Sequence, residues 1–235
     1  MARDFNKADP DSITFSGHVG DPTAVTLAGW VDLDSIDSGG GEIISLGDSA
    51  VLRAKENLTG FALGFFYNGT DWFNTDGNAD IAGAGWKHLA YSVQNGSQAL
   101  YVGGTANKTT TTHSGSPTYT QGANSKIGGH GNGGTQHDID GRLAEIGVWN
   151  RILTDAEIDQ LADGFSPLFI PRGLVFYLPL VRNVQDIKGT ALTDNGTTVA
   201  THPRIIYPTS PQIMKFETTI TPITSRFNIM GTVGM

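Results

Sequence analysis

The chain has 235 residues and a formal net charge of −8, with 38% hydrophobic and only 16% charged residues. Its 31 glycines and absence of cysteine exclude a helical bundle, a disulfide framework, a thiolate zinc site and a cysteine nucleophile. The acidic balance repels nucleic acid and anionic membranes, so neither is expected as a partner.

The opening residues, Met1 to Pro10, lack the apolar core of a secretory signal. No stretch approaches the ~20 apolar residues of a membrane span. A soluble chain made in the cytosol is therefore the expectation. Strand-type alternation begins at Ala24–Leu33, where Val25, Leu27, Val31 and Leu33 share one face and Thr26, Trp30 and Asp32 the other. Apolar runs follow at Ile43–Leu46, Ala50–Leu52 and Phe61–Tyr67, then alternation at Trp86–Val93, and further runs at Leu143–Trp149 and Leu174–Leu180. Short strands separated by turn clusters describe a sandwich.

Two Asn-Gly pairs, Asn68-Gly69 and Asn95-Gly96, lie between β-type runs and predict type I′ hairpins. One helix is expected. Thr154 and Glu157 form a capping box, Ile158, Leu161, Ala162 and Phe165 an apolar stripe, and Gly164 a stop. Beyond His202 the character changes. Residues 1–170 hold 20 carboxylates against 9 Lys and Arg, whereas residues 171–235 hold 3 against 6. The tail is punctuated by Pro208, Pro211 and Pro222 yet rich in Ile, Phe and Met, too interrupted for central strands and too apolar for a solvated linker. An extended arm lying along an apolar surface is the expectation.

Four segments together, Gly85–Val93 (GWKHLAYSV), Leu100–Gly104 (LYVGG), Lys126–Gly134 (KIGGHGNGG) and Asp138–Leu161, resemble the laminin-G-like branch of the concanavalin A-like lectin/glucanase superfamily. Val25–Val31 resembles an early strand of the same family. The resemblance implies an all-β antiparallel jelly-roll β-sandwich with one short helix. Arg172–Leu180, followed by Ala191–Val199, resembles the strand that usually opens such domains, here placed after the body as in many phage and environmental bacterial proteins. Residues 1–202 are thus expected to form one sandwich, with 171–200 closing it, and 203–235 the C-terminal arm.

Glucanases of this fold carry Glu-x-Asp-x-x-Glu on a strand. The nearest match here, Glu157-Ile158-Asp159, lacks the last Glu and lies on the expected helix, so no catalytic residue and no enzyme activity is expected. Gly129-His130-Gly131-Asn132-Gly133-Gly134 matches a dinucleotide fingerprint by letter, but without βαβ context it reads as a glycine-rich loop. Asp138 and Asp140 are candidate calcium ligands, with the alternative that Asp140 fixes its Asp-Gly turn. Calcium is the one cofactor considered. Trp72, His130, Asn132 and His137 are the candidate carbohydrate-binding residues, Trp72 being the best-placed exposed aromatic, while Trp30, Trp86 and Trp149 read as packing and His88 as a structural hydrogen-bonder.

Two functions follow. The first is a non-catalytic structural protein of a bacteriophage virion, a head decoration or tail-associated subunit, assembled in the host cytoplasm. It would hold other copies of itself and neighbouring virion proteins through Ile205, Ile206, Tyr207, Ile213, Phe216, Ile220, Ile223 and Phe227 of the arm. The alternative is a carbohydrate-binding module or lectin, extracellular and directed at cell-surface glycan. A glycoside hydrolase is the weaker third.

Overall fold

The computed structural model describes residues 2–8, 11–34, 40–55, 61–81, 83, 85–133, 137–181 and 183–209. In chain order its strands are β1 (Ala2–Phe5), β2 (Ser12–Ser16), β3 (Val25–Leu33), β4 (Gly41–Leu46), β5 (Ala50–Ala54), β6 (Phe61–Tyr67), β7 (Trp72–Asp80), β8 (Lys87–Gln94), β9 (Ser97–Val102), β10 (Lys108–Thr112), β11 (Asn124–Ile127) and β12 (Gly141–Trp149). After the helix α1 (Asp155–Ala162) come β13 (Leu174–Leu178), β14 (Thr193–Asn195) and β15 (Thr198–Ala200). They pair antiparallel into two sheets. One runs β10-β9-β8-β3-β12-β1-β15, with β13 also on β12; the other runs β14-β2-β11-β4-β5-β6-β7. This is the sandwich that the alternation implied, consistent with the jelly roll that the resemblance implied.

The main core lies between the sheets. Val25, Leu27, Val31 and Leu33 of β3 enter it against Ile43, Leu46, Leu52 and Phe66 from the facing sheet, because a period of two puts alternate residues on one face. The other face of β3 and its neighbours carries small residues, Ala28, Ala90 and Ala99. They leave room for α1, whose Ile158 and Leu161 pack there with the fully buried Trp149. Thr154 and Glu157 close the capping box, and Glu157 also takes a bidentate pair from Arg151 at 2.8 and 2.6 Å. Asp159 accepts from the backbone and hydroxyl of Thr105 at 2.7 and 2.8 Å. The Glu157–Asp159 pair is thus occupied in holding the helix.

Both Asn-Gly turns depart from type I′. Gln94 pairs Ser97 across a two-residue turn, but only Gly96 takes a positive φ, +84°, and type I′ requires it at both positions. Between Tyr67 and Trp72 the loop has four residues, and the Asn68 side chain accepts the amides of Thr70 and Asp71 at 2.9 and 2.7 Å. The Asn side chain, free to close its own turn, competes with the hairpin backbone.

Segment 171–200 adds strands to both sheets: β13 pairs β12, β14 pairs β2 and β15 pairs β1. The chain then turns back on the body. Ile206 bridges Phe165 in parallel, and its backbone bonds Gly164 and Ser166. Of the expected arm residues, Ile205, Ile206 and Tyr207 are described, while Ile213, Phe216, Ile220, Ile223 and Phe227 lie outside the described residues. Ile206 and Tyr207 attach to the chain's own body. The expected extended arm is, over these residues, a strap.

Candidate binding cleft on the outer sheet face

The outward residues of β4 to β7 build a cleft of ≈ 440 Å³. On β6 the residues alternate: Ala62, Gly64 and Phe66 are buried, while Leu63, Phe65 and Tyr67 are half-buried outward. Gly64 is obligatory here, since a Cβ would stand 2.1 Å from the Tyr91 ring. On β7 the outward positions are Trp72, Asn74 and Asp76. Arg53 comes from β5, Lys55 just follows it, and Glu42 comes from β4.

Trp72 is 46% exposed at the rim. Its ring leans on Phe65 at 5.5 Å and Tyr67 at 5.1 Å between centroids, so its orientation is set by packing while much of it faces solvent. Below it, Arg53 lies over the Phe65 ring at 5.5 Å, and Lys55 pairs Asp76 at 2.6 Å.

The polar end of the cleft is assembled by two loops. Asp48, at φ +57°, stands in the β4–β5 turn, and His130 follows β11. Ser45 Oγ ties them together, accepting from the amides of Asp48 at 3.3 Å and Gly131 at 3.1 Å. A Cβ on Gly131 would fall 2.7 Å from that same Oγ, and one on Gly129 would fall 2.8 Å from Asp138 Oδ1. The Gly-x-Gly pattern is therefore a steric requirement of one loop lying flush on another, and the sandwich offers no nucleotide fold around it. His130 Nδ1 sits 3.0 Å from Glu42 Oε1 and 3.7 Å from Asp48 Oδ1. Arg53 Nη1 reaches Glu42 Oε1 at 4.0 Å. Burial, with help from the neighbouring Glu42 charge, pushes the Asp48 carboxyl up to about 6. The hydrogen bond to Glu42 raises His130 above the ordinary histidine range despite its partial burial.

Of the expected carbohydrate-binding residues, Trp72, His130 and His137 line the cleft, with the two imidazoles edge-on at 5.3 Å. Asn132 is exposed and does not line it. His88 is buried beside Trp30 at 5.6 Å and driven down to about 3 by burial, so it is a neutral packing group. Its Nδ1 lacks a hydrogen-bond partner among the described residues, unlike the bonded histidine expected.

Among the described residues Asp138 and Asp140 do not belong to a cluster of three or more His, Asp or Glu ligating atoms. Asp140 lies 3.9 Å from Lys7, and Asp138 is a half-buried carboxyl whose pKa burial raises. Among the described residues the trio whose ligating atoms come within 4.8 Å of one another is Glu42, Asp48 and His130. It does not fit calcium, which takes 6–8 oxygen ligands: it offers two carboxylates and an imidazole nitrogen already bonded to one of them, with a guanidinium alongside. Such a mixed donor set suits a zinc-like ion, and only once His130 gives up Glu42.

Glu42, Asp48, Arg53, Lys55 and Asp76 were not singled out from the sequence. Their one signal is a charged residue set inside an apolar strand run, Glu42 before Ile43-Ile44 and Arg53 after Val51-Leu52.

Comparison with known proteins places this geometry in context. The family model for the concanavalin A-like lectin/glucanases superfamily, in its laminin G form, matches residues 7–159. No curated protein matches the chain by sequence. A candidate carbohydrate binding protein from Bacteroides ovatus superposes with a TM-score of 0.69 at 18% identity, covering 87% of this chain and 61% of its own. The native heptameric SAP-like pentraxin from Limulus polyphemus gives 0.58 at 18% identity, covering 84% and 93%. Domain 4 of the extracellular arabinanase AbnA from Geobacillus stearothermophilus, solved with arabinotriose, gives 0.55 at 19% identity, covering 68% and 76%. At these identities the likeness is one of fold.

Proposed function

The chain belongs to the concanavalin A-like lectin/glucanases superfamily, and we propose that it is a non-catalytic carbohydrate-binding module whose ligand lies in the cleft over β4 to β7. The observation that carries this reading is Trp72. An indole propped by two rings and 46% exposed, above a floor of charged hydrogen-bonding groups, offers what a sugar needs. The ring faces the apolar C–H side of a pyranose or furanose, and the polar floor meets its hydroxyls. Of the superposing structures, one is a candidate carbohydrate binding protein and one was solved with arabinotriose, which supports the reading by analogy of fold.

Catalysis is disfavoured by the carboxylates themselves. A glycosidase needs an acid and a base or nucleophile that both reach the glycosidic bond. Glu42 is fully buried and Asp48 nearly so, both face His130, and the more exposed Asp76 is closed onto Lys55 at 2.6 Å. A glycan array on the purified chain tests the proposal, and a reducing-sugar assay run alongside stays at background. Array binding that survives Trp72→Ala would defeat it.

The virion role expected from the sequence draws on residues 203–235. Only 203–209 of these are described, and of them Ile206 and Tyr207 bond the chain's own body. A bacteriophage subunit or an extracellular module could equally display this cleft, so the cleft carries the functional reading and the arm does not.

A further inference from the structure

Resting on the carbohydrate reading of the cleft, we infer that its ligand is an uncharged saccharide, discriminated against acidic sugars by charge pairs already closed within the floor. Each carboxylate of the floor has a cation at hand. Glu42 has His130 at 3.0 Å and Arg53 at 4.0 Å, Asp48 has His130 at 3.7 Å, and Asp76 has Lys55 at 2.6 Å. Arg53, Lys55 and His130, whose charged form the hydrogen bond to Glu42 favours, stand against Glu42, Asp48 and Asp76. No unspent cation faces the cleft from this set.

A uronate or sialate taking a donor of Arg53 or His130 would compete with Glu42 for the charge that compensates it. That carboxylate is fully buried, and its Oε2 already has no hydrogen-bond partner among the described residues. Weakening that compensation would leave a buried charge poorly paired, which strongly disfavours the bound state. Drawing Lys55 from Asp76 would cost less, since that pair is half-exposed, but would yield only a surface ion pair exchanged for another. A hydroxyl meets none of these costs. It donates to a carboxylate and accepts from an ammonium or guanidinium at once, inserting into a pair without breaking its charge balance.

The test is isothermal titration of the full chain with arabinotriose, xylotriose, cellotriose and mannotriose against trigalacturonic acid and 3′-sialyllactose, at low and high salt. At least one neutral trisaccharide is expected to bind about tenfold or more tighter than either acidic one, with its Kd changing less than about twofold between the salt conditions. In Asp76→Asn, which frees Lys55, the acidic-to-neutral affinity ratio is expected to rise. Tighter binding of an acidic probe, or a Kd that weakens steeply with salt, overturns the inference while leaving the carbohydrate reading intact. Binding of neither class overturns both. An acidic-to-neutral ratio unmoved in Asp76→Asn counts against the charge-pair mechanism.

Discussion

The phenol of Tyr207 donates a 2.6 Å hydrogen bond to Oε1 of Glu145, a residue 62 positions earlier and held at φ +56° in β12. The pairing register of β12 against β3 shifts between Ala144 and Gly147, and this bulge turns the Glu145 side chain toward the C-terminal strap. Its Oε2 accepts from Tyr177 at 2.6 Å, and His202 Nε2 lies 3.2 Å from Oε1. Glu145 is 3% exposed, so two phenol donors satisfy a buried carboxylate and fasten Tyr207 to the body.

Tyr207→Phe keeps the ring and removes one donor. Hydrogen bonds to charged groups contribute about 1.5–3 kcal/mol, and Tyr207 is partly exposed, so a loss near the lower end is expected in urea unfolding, with the m-value unchanged. Tyr177→Phe, at a fully buried ring, should cost more. Equal and negligible losses for the two would mean that the strap is not fastened through Glu145.

The Asp48–His130 pair makes stability depend on pH in a definite direction. The Asp48 carboxyl is raised from 3.8 to about 6 in the fold, so the native state holds its proton where the unfolded chain has lost it. Stability therefore falls as pH rises from about 3.8 to 6, by roughly 2–3 kcal/mol at most. His130, also raised, acts the same way: its contribution is complete below the unfolded histidine value and is lost as pH climbs through the folded one. Asp48→Asn removes the first of these. Its stability relative to the native sequence should improve steadily between pH 4 and 7, and a difference that stays flat would contradict the assignment.

Trp72→Ala separates binding from folding. The indole stands at a rim and leaves the core untouched, so chemical denaturation should place the variant within about 0.5 kcal/mol of the unaltered chain. Trisaccharide affinity should drop by about tenfold or more, with Trp72→Phe falling between.

The donor set around His130 bears on calcium directly. Raising calcium to 1 mM should move the melting temperature by less than about 1 °C, and chelation should leave sugar binding unchanged. A calcium-induced rise of about 3 °C or more would show that further oxygen ligands join Glu42 and Asp48.

Glu157 joins the helix cap to Arg151, and these contacts hold its carboxyl down to about 2 from 4.5. Its stabilisation is complete above 4.5 and disappears as pH falls through 2. Glu157→Gln should cost about 0.5–1.5 kcal/mol at neutral pH, the gap closing in acid. A gap independent of pH would mean that packing, rather than charge, explains the loss.

Much of the sandwich was legible residue by residue. Val25, Leu27, Val31 and Leu33 announced their inward face, and Thr154 with Glu157 announced the start of α1, because both signals are local: a period of two and a reciprocal cap need only neighbouring residues. At Asn68-Gly69 the type I′ turn failed for a reason equally local but unread, the power of the Asn68 side chain to bond its own loop. Trp72, His130 and His137 were picked out as residue types, yet nothing in the letters joined them to Glu42, Arg53 or Asp76.

The chain by itself therefore determined that two antiparallel layers form, which faces they bury and where the helix sits, since apolar spacing dictates burial wherever strands pair. Only the tertiary structure decided that residues as far apart as Glu42 and His130, 88 positions, meet at one floor. Pairing order and loop contact are long-range choices, fixed by how the whole core packs. They alone settle which outward side chains become neighbours and so neutralise each other's charge.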